Sequence, residues 1–220
     1  MGSEMCIRDS VATDFVNLGC ASQLVTSLQV HTSNPATTLE EFIANAKESG
    51  EEITWGTSGA VTMHATIGQI FFDTHGIKHK KVPFKGGSKA RAALVSQSVE
   101  AVLGGVNTVV GFEADIRALA SAGAERDPMA PDLATFGEQG TDGIDFTGLM
   151  CLFAPAGVSD EVKEDVGAAI AHIAEIKGYQ RYMAGNALAS FYTDAAAATA
   201  AQDTMFESMG PVIAEILANQ

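Results

Sequence analysis

Residues 82–87 read Val82-Pro83-Phe84-Lys85-Gly86-Gly87, a short stretch with a clear local grammar. An extended stretch ends at Pro83, two glycines follow, and a helical pattern begins that runs through Ala92, Ala93, Leu94 and Val95. A strand that turns through glycine into a helix N-terminus is the repeating unit of an open α/β sheet. It is also a common way to hold an anion, because the helix end offers free N–H groups and the positive end of its dipole. The hexapeptide sits in a basic island: Lys78, Lys80, Lys81, Lys85, Lys89 and Arg91 occur there without a carboxylate between them. The whole chain has 27 acidic and 13 basic residues among 220, so this island is local. It points to a small carboxylate as ligand. Edge strands also tend to carry lysine, and Lys78, Lys80 and Lys81 read as such decoration, Lys85 less so.

The same strand–turn–helix grammar extends on both sides. Residues 21–31 hold alternating and β-branched residues and read as one strand that Asn34-Pro35 breaks. Thr37-Thr38 cap a helix with Glu40 and Glu41 in its first turn and Leu39, Phe42, Ile43 and Ala46 on one face, ended by Gly50. Residues 53–57 form a strand, Ser58-Gly59 a turn, and residues 61–74 a helix closed by Gly76. Strands are further expected at 80–84, 99–103 and 116–120. Such alternation predicts a parallel sheet with helices on both faces. Residues 123–145 read as a long loop with a short helical turn, 146–153 as a buried strand or a crossover, and 159–220 as helical, with Gly178 and Gly185 as punctuation and Asp194 opening a long Ala-rich helix. The chain splits into an α/β unit at about 34–145 and a helical tail at about 155–220. The tail needs a sheet to cover.

Composition excludes several classes. A net charge of −14 disfavours nucleic acid, which requires a basic face, and sparse aromatics argue against a base-stacking platform. No apolar run reaches the length of a membrane helix, so the chain is not expected to be membrane-embedded. Cys6, Cys20 and Cys151 lack metal spacing and read as small buried hydrophobes; a Cys20–Cys151 bridge stays open. His64, His75 and His79 match no compact metal-ligand pattern, and neither metal nor cofactor is expected. Residues 1–10 have neither periodicity nor an apolar signal core, and are expected to be a non-native N-terminus.

Ligands of open α/β sheets bind beyond the carboxyl ends of the strands. Two turns lie there: Thr57-Ser58-Gly59-Ala60-Val61-Thr62 and Phe84-Lys85-Gly86-Gly87-Ser88. Their hydroxyls and N–H groups converge on whatever sits over the helix ends; the alternative is that both are only tight connections. Asn107, after the next strand, is a weaker candidate. The first turn also supports a rival. Residues 56–60 (Gly-Thr-Ser-Gly-Ala) approach the nucleophile elbow of hydrolases, with Ser58 as nucleophile. His64, His75 and His79 follow too soon for its histidine, and His172 lies inside an apolar helix.

The ordered series ITWGTSGAVTMHATIGQIFF, VPFKGGSKARAALVSQSVEAVLGGV, RALASAGAERDPMAPDLATFGEQG and FTGLMCLFAPAGVSDEV resembles the extracytoplasmic solute receptors of tripartite tricarboxylate transporters, the Bug or TctC-type family, from about Asp14 to the C-terminus. The family's VP(Y/F)KG is met by Val82–Gly86, its P-D…T…E-x-G segment by Pro131, Asp132, Thr135, Glu138 and Gly140, and its L-A-P-A-G by Phe153–Gly157 with Phe in the Leu place. His64 matches the family's histidine, Glu100 stands in for an aspartate, Met209 replaces a tryptophan, and one residue is missing from the TSGxGTxxH turn.

The resemblance implies an α/β fold of the type II periplasmic-binding-protein kind: one complete α/β domain plus the C-terminal helical part of a second, incomplete one. Residues 11–33 would end domain 1 and cross over, 34–145 form domain 2, 146–154 cross back, and 155–220 pack on domain 1. The family's opening third and signal peptide are absent from the chain, which is expected to leave exposed apolar faces. The implied function is capture of a small carboxylate in the periplasm for a membrane permease, without catalysis. The ligand-binding residues expected are Thr57, Ser58, Gly59, Thr62, Phe84, Lys85, Gly86, Gly87 and Asn107. The effector-binding domain of a transcriptional regulator shares the fold class and is a third reading; it requires a DNA-binding domain upstream.

Overall fold

A computed structural model describes residues 14–218; residues 1–10, expected to be non-native and containing Cys6, lie outside them. In chain order the elements are β1 (Phe15–Leu24), β2 (Thr26–His31), α1 (Leu39–Ser49), β3 (Ile53–Thr57), α2 (Met63–Thr74), β4 (His79–Pro83), α3 (Gly87–Val95), β5 (Ala101–Gly105), β6 (Ile116–Ser121), β7 (Gly148–Pro155), α4 (Asp160–Glu175), α5 (Lys177–Gly185), β8 (Ser190–Thr193) and α6 (Ala195–Ala218). They build two sheets. The larger runs β4-β3-β5-β2-β6 and the smaller β7-β1-β8. This is the α/β architecture expected, with one unit complete and one represented by three strands and the C-terminal helices.

Three details differ from the reading of the sequence. The single strand expected at 21–31 is two strands in different sheets, divided at Val25. The larger sheet is mixed rather than parallel: β3 runs parallel to β4 and β5, but β2 enters between β5 and β6 antiparallel to both. The direction of β2 follows from its arrival out of the smaller sheet and is not set by its own residues. Finally, β8 is a four-residue strand, too short to stand out before the Ala-rich helix.

Side-chain alternation along β5 shows why helices cover both faces of the larger sheet. Ala101 and Leu103 join Trp55, Ile67, Phe71, Phe42 and Leu39 in one core. Val102 packs on the other side with Ala90, Ala93, Leu94 and Ile116. Trp55 is fully buried, stacked on Phe72 at 5.4 Å between ring centroids. Its indole Nε1–H donates to His79 Nδ1 at 3.0 Å, and His79 Nε2 donates in turn to Asp73 Oδ1 at 3.1 Å. Replacing His79 with alanine is therefore expected to lower stability by about 1–2 kcal/mol, because a core N–H loses its acceptor. The urea midpoint should fall while the slope of the transition stays unchanged.

Local signals set the helix limits. Thr38 Oγ1 accepts from Glu41 N–H at 3.1 Å, and Glu41 Oε2 accepts from Thr37 N–H at 2.7 Å. Gly50 ends α1 with φ 63°, a left-handed conformation that suits glycine. The smaller sheet packs Leu18 and Ala154 against Ile170 of α4. Cys20 and Cys151, directly opposite in the β1/β7 register, form a disulfide, in place of two separate buried thiols. Met150, Leu152 and Phe153 of β7 are apolar and exposed.

Candidate ligand-binding site

Strands β3 and β5 run side by side in parallel, so residues 58–62 and 106–108 follow their carboxyl ends on the same side of the sheet. Leu24, Ser58, His64, Gly87, Ala90, Gly104, Gly105, Asn107 and Thr108 line a cavity of about 270 Å³ there, floored by Val102 and Leu103. Helix α2 enters it from one side and α3 from another. Thr62 caps α2, its Oγ1 accepting from Ala65 N–H at 3.2 Å, so this helix begins two residues later than its apolar pattern suggests. Gly86 precedes α3 with φ 102° and ψ 158°, a backbone that a side chain would strain. Its carbonyl accepts from Lys89 and Ala90, which leaves the N–H groups of Gly87 and Ser88 before the first intrahelical bond.

Of the residues expected from the sequence, Ser58, Gly87 and Asn107 line the cavity. The others fall outside its lining. Thr57 is fully buried with no hydrogen bond to its Oγ1. At Gly59 a Cβ would stand 2.8 Å from Thr62 Cγ2, so this glycine makes room for the capping threonine. Phe84 packs over Gly56, where a Cβ would lie 3.0 Å from Phe84 Cε2, and its N–H donates to Thr57 O at 2.8 Å. Lys85 and Gly86 are exposed. Glu100 lies at the opposite end of the strands, where its Oε2 accepts from Thr54 N–H at 2.8 Å. Lys81, read as edge decoration, instead donates to Ala60 O at 3.1 Å and braces the first turn.

Two residues that bear on the cavity were not placed in it by the sequence. His64 is 9% exposed, its Nδ1 lies 2.7 Å from Thr26 Oγ1, and burial pushes its pKa down to about 4. At neutral pH it is therefore an uncharged hydrogen-bonding group. Gln29, fully buried on β2, donates through Nε2 to Gly105 O and Thr108 Oγ1, both at 3.0 Å. It holds the 3₁₀ turn Val106–Thr108 on which Asn107 sits. Gln29 sits between the apolar Leu28 and Val30 of β2, and that local contrast is the sequence signal that marks this support.

The nucleophile-elbow reading of Ser58 finds no catalytic partner among the described residues. His64 is held by a threonine and no carboxylate, and His172 is exposed on α4. Among the described residues no hydrogen bond joins Ser58 to a histidine, and no group of His, Cys, Asp or Glu could hold a metal ion. What remains is an uncharged lining in which Ser58, Asn107, Thr108 and His64 supply hydroxyl, amide and imidazole groups among the apolar Leu24, Ala90, Val102 and Leu103, with Gly87 bringing the start of α3 to it.

Known proteins share this chain's pattern and shape. Residues 12–217 match the family model described as tripartite tricarboxylate transporter family receptor. A Cupriavidus necator protein named "UPF0065 protein in gbd 5' region" is 26% identical over 167 residues, 75% of this chain and 50% of that protein. The chain thus spans about half the length of that curated relative. Among solved structures, MatC from Rhodopseudomonas palustris with bound malate superposes with a TM-score of 0.77 at 19% identity, covering 97% of this chain and 73% of MatC. An R. palustris protein solved with adipate gives 0.76 at 20% identity, covering 96% and 69%. The periplasmic binding protein BugD gives 0.75 at 17% identity, covering 93% and 69%. The chain belongs to the tripartite tricarboxylate transporter receptor family.

Proposed function

We propose that this chain is part of a periplasmic receptor that captures a small carboxylate and delivers it to the membrane permease of a tripartite transporter, with no catalysis of its own. The observation that supports this most is the cavity wall itself. It combines Ser58, Asn107, neutral His64 and the N-terminus of α3, with no acid–base pair. Helix ends and hydroxyls stabilise a carboxylate without the tight cation pair that would slow its release. Two structural neighbours were solved with small carboxylates, malate and adipate. A Cys20–Cys151 bridge fits an oxidising compartment. No helix among the described residues is long and apolar enough to cross a membrane.

Replacing Ser58 with alanine tests the reading. Affinity for the bound carboxylate should drop about two- to tenfold, the effect of one net hydrogen bond, measured by isothermal titration of the protein expressed from its whole gene. Ester turnover that vanishes in Ser58→Ala would favour the hydrolase reading instead.

A further inference from the structure

We propose that the first turn of α2 couples the cavity to both points where the chain passes between the two sheets, with His64–Thr26 as the positioning contact; this rests on the reading of the cavity as the ligand site. Among the described residues the chain crosses between sheets twice, at Leu24–Thr26 and at the entry to β7, which begins with Gly148. Consecutive side chains of α2 reach the two crossings. His64 Nδ1 lies 2.7 Å from Oγ1 of Thr26, the first residue of β2. Met63 packs so closely on Gly148 that a Cβ there would stand 2.9 Å from Met63 Cε.

The crossings are also tied to each other and to the cavity. Gly148 pairs with Leu24, and Thr147 Oγ1 donates to Gln23 Oε1 at 3.3 Å. Leu24 and His64 both line the cavity. Val106 N–H donates to Val25 O at 2.8 Å, so the crossing also holds the turn that carries Asn107. A ligand that fixes His64 therefore fixes Thr26, and with it the angle at which β1 leaves β2. Thr26 is fully buried and does not itself line the cavity, so any effect of its hydroxyl on binding must pass through a neighbour.

The test measures affinity by isothermal titration, with malate and adipate as probes, and thermal midpoints by circular dichroism. The proteins compared are the wild type, Thr26→Val, Thr26→Ser, His64→Phe and the Thr26→Val/His64→Phe double variant. Thr26→Val should weaken binding about two- to tenfold, tenfold being about the most that one net hydrogen bond can transmit. Thr26→Ser should bind within about twofold of wild type, and the double variant should bind no worse than His64→Phe alone, because both changes break one contact. Wild-type affinity in Thr26→Val, with or without a lowered midpoint, would overturn the coupling while leaving the ligand site intact. Additive losses in the double variant would overturn it too. Silence of the wild type with both probes and with the wider set of di- and tricarboxylates, acidic amino acids and aromatic acids would overturn the site reading together with the coupling; binding of another member of that set makes it the probe for the same comparison.

Discussion

Trp55→Ala is expected to destabilise the protein by about 3–5 kcal/mol, the range for removing a fully buried large aromatic. Trp55 is enclosed on every side: Phe72 stacks on it, His79 accepts its N–H, and Gly68 of α2 lies against its far edge. The same packing predicts the effect of filling Gly68. A Cβ there would stand 2.5 Å from Trp55 Cη2 and Cζ3 and 3.1 Å from Leu103 Cγ. Alanine is ordinarily the better helix residue by about 1 kcal/mol. Here that gain is outweighed by overpacking, which typically costs about 1–3 kcal/mol. Chemical denaturation of Gly68→Ala in the wild-type and Trp55→Leu backgrounds separates the two terms. The substitution should destabilise the first and become neutral or stabilising in the second. Equal destabilisation in both would mean that Trp55 is not what excludes the side chain.

The second large effect is acid lability. Burial holds the His64 pKa at about 4, against 6.5 for an unperturbed histidine. Between those values the unfolded chain binds a proton that the folded one refuses, so stability rises with pH across that window. Above pH 6.5 the histidine is neutral in both states and the penalty is absent; below about 4 it is fully present. The shift corresponds to roughly 3 kcal/mol lost from pH 6.5 to 4. His75, pushed down by burial and by Lys47, acts in the same direction. Thermal midpoints followed from pH 7.5 to 4 should therefore fall more steeply in wild type than in His64→Gln. Parallel curves would show that His64 is not buried as a neutral imidazole.

Much of the larger unit was legible because its signals are local. Thr38, Gly50 and Gly76 mark helix ends, and short apolar runs bounded by glycine mark β3 and β5. The same rules, applied more strictly, place the α2 start at Met63, since Thr62 is the better cap. What was not legible depends on partners distant in the chain. Val25 divides two strands only because β1 and β2 enter different sheets. Cys20 and Cys151 face each other through a register between residues 131 positions apart. The site shows the same divide. Ser58, Gly87 and Asn107 follow strand ends, where the topology puts ligands. Phe84 and Gly59 belong to the same turns yet serve packing and capping. His64 was matched to the family but not to a task, because its partner Thr26 lies 38 residues away on a strand of undetermined direction.

Whether the cavity takes a carboxylate decides what this receptor-family chain does. The decisive measurement is isothermal titration of the protein expressed from its whole gene against di- and tricarboxylates, acidic amino acids and aromatic acids. Saturable binding of at least one of the carboxylates, weakened in Ser58→Ala, is the predicted result. No heat with any of them, under conditions where the protein is folded, would contradict it.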